Sequence, residues 1–121
     1  MDSLYEPGNN IAIKVPAHEF QQTVAFYRDV LSLKVIEDTW SPDNFDTIAF
    51  DFAGKTLWLD RKSNLSQAEI WLEIKTKKLD RAKQHLTECG CTIYDEIEPL
   101  PGDYKGFWIS SPSNIIHLIN E

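Results

Sequence analysis

The chain has 121 residues, which is enough for one hydrophobic core and too few for two independent ones. Its charged fraction of 26% and apolar fraction of 42% are those of an ordinary globular protein and argue against disorder. The formal charge of −7 argues against a nucleic-acid partner and is compatible with a cationic ligand, although solubility alone would also explain it. Because no apolar run approaches the ~18 residues of a membrane span, and no secretion signal opens the chain, we expect a cytoplasmic protein.

The first half of the chain predicts the element order β-α-β-β-β. Residues 1–9 resemble a loose lead-in, and apolar residues at every second position then predict a strand at Asn10–Val15. An apolar stripe at helical spacing predicts a helix at Phe20–Leu31. The remaining expected elements are strands at Lys34–Thr39, Thr47–Phe52 and Thr56–Asp60, with a loop at Trp40–Asn44.

The second half predicts the same order again. We expect a strand at Glu69–Ile74, a helix from Leu79 to Cys89 that ends at Gly90, and strands at Thr92–Ile97, Gly106–Ser110 and Ile115–Asn120. A constant offset of 59 residues relates Asn10 to Glu69 and Trp58 to His117. The chain is therefore expected to be a single α+β domain of two βαβββ modules, at about 8–62 and 66–121, whose mixed sheets curve around a cleft.

Two cysteines, Cys89 and Cys91, flank Gly90. Residues two apart at such a turn are poorly placed to bridge, and a lone Cys-x-Cys lacks the partners of a zinc site. We therefore expect both to be reduced and structural, with no base beside them in the sequence.

Three stretches resemble the glyoxalase/bleomycin resistance/dioxygenase superfamily, also called the vicinal oxygen chelate (VOC) superfamily. They are TVAFYRDVLSLKV, AEIWLEIKTKKLDRA and WISSPSNIIHLINE, and the resemblance extends from Asn10 to Glu121. The most specific part is FYRDVLSL, in which Ser32 replaces the usual glycine. The resemblance implies the glyoxalase/bleomycin resistance fold and a homodimer, but this fold carries metal-dependent lyases, dioxygenases and drug-binding proteins alike.

The resemblance also implies four positions that hold the metal in metal-using members, here Asn10, Trp58, Glu69 and His117. Glu69 and His117 are competent ligands, whereas asparagine is a weak donor and tryptophan cannot ligate. Asp60 has the same strand parity as Trp58 and is a candidate third ligand. We expect a metal-free protein without a cofactor. The alternative is a lyase, isomerase or dioxygenase that uses one divalent metal ion.

Counting along the strands predicts which side chains line the cleft. The expected lining is Asn10, Ala12, Lys14, Thr56, Trp58, Asp60, Glu69, Trp71, Glu73, Ile115, His117 and Ile119, while Ile11, Ile13, Leu57, Leu59, Ile70, Leu72, Ile116 and Leu118 form the core. Tryptophans beside carboxylates suit a small cationic or aromatic ligand. The predicted ligand-binding residues are Asn10, Trp58, Asp60, Trp71, Glu73, Tyr104 and Trp108. Alternatively, the tryptophans fill a closed cleft or a dimer interface.

Glu69 and His117 are also the predicted catalytic pair. A carboxylate beside the imidazole would raise the histidine's pKa and orient its ring for proton abstraction. A satisfied polar pair in place of a lost metal explains the same two residues.

Overall fold

The computed structural model describes residues 3–36 and 46–121. These residues form two α-helices, α1 (Phe20–Ala25) and α2 (Leu79–Glu88), and seven strands: β1 (Glu6–Pro16), β2 (Thr47–Phe52), β3 (Lys55–Lys62), β4 (Glu69–Lys75), β5 (Thr92–Ile93), β6 (Gly106–Ser110) and β7 (Ile116–Asn120). The predicted α+β class with mixed strand pairing is confirmed. No helix in the described ranges is long and apolar enough to cross a membrane.

The chain divides into two compact units. The first unit is Asn9–Ile70, and the second unit is Trp71–Glu121 together with the N-terminal residues up to Gly8. In the first unit, β3 lies between β2, which is antiparallel to it, and β1, which is parallel to it. In the second unit, β7 lies between antiparallel β6 and parallel β4, so the strand pattern repeats as the sequence predicts.

In each unit, one face of the strands packs beneath that unit's helix. In the first unit, this face joins α1 through a core of Val15, Phe20, Val24, Ile48, Phe50, Leu57 and Leu59, with Ile11 and Ile13 beside it. In the second unit, Ala82 of α2 packs on Phe107, Ile109 and Ile119. We call these the helix faces, and the opposite side of each unit's strands the open face.

Helix α2 ends in a hydrogen-bonded reversal around Gly90. The Cys91 N–H donates to the Leu86 carbonyl, and the Gly90 N–H donates to the Thr87 carbonyl. Gly90 has φ +97°, the left-handed conformation that glycine adopts most readily. The predicted helix stop at Gly90 is therefore confirmed.

Three predicted boundaries differ from the structure. The lead-in prediction is wrong for Glu6–Asn9, which form the start of β1. The strand predicted to reach Ile97 ends at Ile93, because Asp95–Ile97 turns as a 3-10 helix. The helix predicted to reach Leu31 is α-helical only to Ala25 and continues as a π-helical segment at Phe26–Val30.

The strand predicted at Lys34–Thr39 lies only partly within the described residues. Val35 forms a bridge to Phe50, and the Ile36 N–H donates to the Ala49 carbonyl. The rest of this strand, and the loop predicted at Trp40–Asn44, lie outside the described residues.

Candidate functional site

The open face of the first unit carries ordered cross-strand rows. The register aligns Thr47 with Asp60 and Asp60 with Lys14, and it aligns Ala49 with Trp58 and Trp58 with Ala12. Paired residues point to the same side of a sheet, so Ala12, Lys14, Trp58 and Asp60 share a face with Asn10, as predicted. Thr47 and Ala49 extend that face onto β2.

An ion pair occupies one of these rows. Lys14, only 5% exposed, places its Nζ 2.7 Å from Asp60 Oδ2, and the Thr47 hydroxyl donates to Asp60 Oδ1 at 2.6 Å. Both carboxylate oxygens of Asp60 therefore have partners within the unit. Asp60 neutralises a buried lysine in this arrangement, and a metal would have to displace Lys14 or Thr47 to reach it.

The indole of Trp58 is also held by its own sheet. Its Nε1–H donates to Asn10 Oδ1 at 2.8 Å. Two of the predicted ligand-binding residues thus bond to each other. Beside this row, an open concavity of about 680 Å³ is bounded by Lys34, Asp51 and Thr56, and Thr56 is the register partner of Asn10.

The open face of the second unit is more enclosed. Trp71 and Trp108 are both buried and meet edge to face with ring centroids 5.3 Å apart. The Trp108 indole Nε1–H donates to the Glu98 carbonyl at 3.1 Å, so the segment before β6 lies beside the ring. Three predicted ligand-binding residues, Trp71, Trp108 and Glu73, belong to this face.

Glu73 is the buried carboxylate of this face. It is 9% exposed, and Asn120 Nδ2 donates to its Oε2 at 3.0 Å. Asn120 Nδ2 also donates to the Tyr104 hydroxyl oxygen at 2.8 Å, which brings predicted residue Tyr104 to the same cluster. Asn120 itself is 3% exposed, and within the described ranges its side-chain oxygen Oδ1 has no hydrogen-bond partner. A buried acceptor without a donor is unusual in a folded protein.

Two glycines make room for this cluster. A Cβ at Gly8 would lie 2.5 Å from Glu73 Cγ, and a Cβ at Gly106 would lie 2.5 Å from the Tyr104 ring. Any other residue at either position would push Glu73 or Tyr104 away. The sequence therefore builds the cluster with backbone that approaches these side chains closely.

The predicted face of His117 is wrong. His117 is the register partner of Leu72 and Ile109, and it shares their helix face with Ile119, whereas Glu73 aligns with Leu118. The cause is a difference of one residue between the two repeats: Ala12 and its partner Trp58 are 46 residues apart, but Leu72 and His117 are 45 apart. A one-residue shift moves every side chain of a strand to the opposite face.

It follows that Ile115 and Ile119 were also assigned to the wrong face, as were Ile116 and Leu118. By this shift the equivalent of Trp58 in the second unit is Ile116, the residue before His117 and the register partner of Ser110. His117 Nδ1 lies 3.0 Å from the Ile115 carbonyl. Glu69 has the strand parity of Trp71 and Glu73, so the two predicted catalytic residues do not share a parity.

The donor set does not fit the metal that the resemblance implies. In the part of the chain that the structure describes, no three His, Cys, Asp or Glu side chains are grouped closely enough to hold a metal ion. Asp60 is engaged by Lys14, and His117 lies on a helix face.

Sequence reasoning missed Asn120, which has the deepest burial of the polar residues in the cluster. Its signal was available in the period-2 pattern of β7, but only once the face of that strand was assigned correctly. It also missed the Thr47 hydroxyl, which the register of β2 against β3 places beside Asp60.

Solved structures share this fold at low sequence identity. A Mn(II)-bound glyoxalase from Novosphingobium aromaticivorans matches with TM-score 0.64 and 18% identity over 94% of this chain and 38% of its own. A variant of homoprotocatechuate 2,3-dioxygenase from B. fuscum matches with TM-score 0.62 and 15% identity over 96% of this chain and 32% of its own. This chain thus spans about a third of the length of those two chains.

A glyoxalase/bleomycin resistance protein/dioxygenase superfamily member from Vibrio splendidus 12B01 matches almost end to end, with TM-score 0.58 and 14% identity over 90% of this chain and 95% of its own. No family model and no curated protein sequence matches the chain. The architecture that the sequence resemblance implied is confirmed by these structures: the chain has the fold of the glyoxalase/bleomycin resistance/dioxygenase superfamily.

Proposed function

We propose that this protein binds a small aromatic cation, without a metal ion, at the open face of its second unit. The observation that carries the proposal is the unpartnered Asn120 Oδ1 beside the buried carboxylate of Glu73. Two hydrogen-bond acceptors, one of them charged in its ionised form, favour a ligand that brings N–H donors and positive charge.

The aromatic part of the ligand follows from the neighbouring rings. Trp71 and Trp108 lie on the same face as Glu73, and a ligand that displaces Tyr104 would meet their apolar rings, which are held edge to face. An aromatic ligand gains stacking and edge contacts there, and an ammonium group gains cation–π attraction. The formal charge of −7 favours the approach of cations over anions.

We propose that a ligand reaches the carboxylate by displacing Tyr104. Its ring is 38% exposed, and its hydroxyl accepts the hydrogen bond from Asn120. Displacement of this one side chain releases the Asn120 amide and uncovers the cluster. Tyr104 is therefore a ligand-contact residue in the proposal, together with Trp71, Glu73 and Trp108.

Asn10, Trp58 and Asp60, the other predicted ligand-binding residues, line the open face of the first unit. Their side chains are engaged in the Trp58–Asn10 and Lys14–Asp60 contacts. Their role in ligand binding stays a prediction of the sequence, and the present proposal does not depend on it.

The test is a titration with phenethylammonium, followed by NMR of the tryptophan indole N–H groups, against the anion 3-phenylpropanoate of similar size. We expect the cation to shift the Trp71 and Trp108 signals in a saturable manner and the anion to leave them in place. Glu73→Gln should weaken binding of the cation about tenfold or more, because a charge-assisted hydrogen bond is lost. Asp103→Asn, which removes an exposed carboxylate of the same unit, is the matched control.

Equal shifts with both probes, or a loss of affinity as large in Asp103→Asn as in Glu73→Gln, would overturn the proposal. The alternative of a metal-dependent enzyme using Glu69 and His117 has a separate measurement, the metal content of protein purified without chelators. Near one tightly held divalent ion per chain would support that enzyme against the binding protein.

Self-association as a homodimer and a cytoplasmic location stay predictions of the sequence. Light scattering coupled to gel filtration measures the first directly, with a mass near twice 13.9 kDa as the expected result.

A further inference from the structure

A cluster of nucleophilic and titratable side chains lies at the end of α2 in the second unit, on different residues from the proposed ligand site. Cys89 Sγ is 3.6 Å from His85 Nε2, and His85 Nδ1 is 2.7 Å from the Tyr5 hydroxyl. The sequence has no base directly beside the cysteines, and the helix brings one to Cys89 from the preceding turn. A spacing of four residues places His85 and Cys89 on the same side of a helix.

The end of α2 gives the two cysteines different solvent exposure. The reversal at Gly90 leaves Cys89 exposed and turns Cys91 toward the Ala82 and Phe107 core, where it is partly buried. Burial, together with the nearby Cys89, raises the pKa of the Cys91 thiol. A raised pKa leaves less of the reactive thiolate at neutral pH. The exposed thiol with the imidazole is therefore the candidate nucleophile, and the buried one is an internal reference.

Tyr5 contacts the imidazole nitrogen that faces away from the thiol. Its ring stacks on His85 with centroids 5.8 Å apart, and burial raises the pKa of its phenol, with the nearby Cys89 and Cys91 adding to the effect and Arg81 opposing it. A protonated phenol can accept the Nδ1–H of neutral His85. In that tautomer, Nε2 carries a lone pair directed at Cys89 and can accept the thiol proton.

We propose that Cys89 is a modification site for carbon electrophiles of the α,β-unsaturated carbonyl class, with His85 as its base and Tyr5 as a positioning residue. In the addition, the Cys89 S–H proton moves to His85 Nε2 and the sulfur forms a bond to the β-carbon of the electrophile. The π electron pair moves to the carbonyl as an enolate. The α-carbon then takes the proton back from His85, so the thiol adds across the double bond without an oxidant or a co-reactant.

The probe for this test is N-ethylmaleimide, which has the proposed chemistry. Modification of Cys89 and Cys91 is followed by quenched time points and peptide mass spectrometry from pH 5 to pH 9. We expect Cys89 to react several-fold faster than Cys91 at pH 7, because the Cys91 thiol is partly buried and its raised pKa leaves less thiolate. His85→Gln should slow Cys89, leave the rate for Cys91 unchanged and move the pH midpoint of Cys89 upward.

Tyr5→Phe should also move the pH midpoint of Cys89 while leaving the rate for Cys91 unchanged, which a loss of folding would not do. His18→Gln, at an exposed histidine of the first unit, is the matched control and should have no effect on either thiol. The intact chain unfolded in urea gives the reference rates for both thiols. A folded Cys89 that reacts no faster than the unfolded one, or whose pH midpoint is the same in His85→Gln, would overturn the proposal.

Discussion

Asp60 shows how a residue that resembles a site residue can have a structural task. Its carboxylate is the acceptor for buried Lys14 and for the Thr47 hydroxyl. We expect Asp60→Asn to lower the free energy of unfolding by about 1–3 kcal/mol, because it removes the counter-charge of a lysine that stays out of water. Urea unfolding followed by tryptophan fluorescence measures the difference.

The control for this prediction replaces both partners. Lys14→Met combined with Asp60→Leu removes the charge and the need for a counter-charge together, so it should be much closer to the parent protein than Asp60→Asn alone. A single variant as stable as the parent would show that the ion pair contributes nothing to the fold of the first unit.

Gly90 sets the end of α2 through its backbone conformation. We expect Gly90→Ala to destabilise the protein by about 1 kcal/mol, because an L side chain at φ +97° is strained by contact with its own backbone. Gly102→Ala is the matched control, since the described chain leaves open space within 4 Å of a Cβ there and Gly102 is not among the positive-φ glycines. Thermal unfolding of the two variants separates the strain at Gly90 from a general effect of replacing glycine. Equal melting temperatures in the two variants would contradict the predicted strain at Gly90.

The position of His117 on β7 gives a second prediction at the scale of a secondary-structure element. His117 lies on the helix face with its ring against the Ile115 carbonyl, and it is not in register with Glu73. We expect His117→Gln to leave binding of phenethylammonium within about twofold of the parent protein, because a ligand on the open face does not reach it. A loss of binding comparable to that of Glu73→Gln would restore His117 to the site.

Most strands and both helices could be predicted from the sequence, because period-2 and helical patterns are strong in such segments as Thr47–Phe52 and Leu79–Glu88. The face of β7 could not, because Ile115, Ile116, Leu118 and Ile119 are all apolar and give no alternation around His117. The start of β1 was hidden by Pro7 and Gly8, which are typical of turns. A Cβ at Gly8 would lie only 2.5 Å from Glu73 Cγ, so glycine at this position leaves room for the Glu73 side chain.

At the scale of the whole molecule, the two repeats share a pattern of strand pairing but differ in the polar contacts on their open faces. Each unit has one parallel pair, β1–β3 in the first and β4–β7 in the second. The open face of the first unit contains the Lys14–Asp60 ion pair, and the open face of the second contains the Glu73–Asn120 hydrogen bond. Both contain a buried charged side chain with a partner, so removal of either partner would leave a buried polar group without its contact.

The raised pKa values of two side chains predict that the folded protein loses stability at alkaline pH. Tyr5 and Cys91 have pKa values above their ordinary 10.0 and 9.0, in both cases chiefly because burial disfavours the charged form. The folded chain therefore holds these two protons more tightly than the unfolded chain. Their contribution to stability is complete below about pH 9 and is lost as the pH rises through the raised folded values.

We accordingly expect the melting temperature to fall between pH 8.5 and about 11. The fall should be smaller in the double variant Tyr5→Phe, Cys91→Ser, because neither replacement titrates there, while the lysines and the other tyrosines still do in both proteins. Calorimetric scans of the two proteins over the same pH series give the comparison. Parallel curves would mean that these two protons are held equally in the folded and unfolded chains, and that burial at the end of α2 does not act on them.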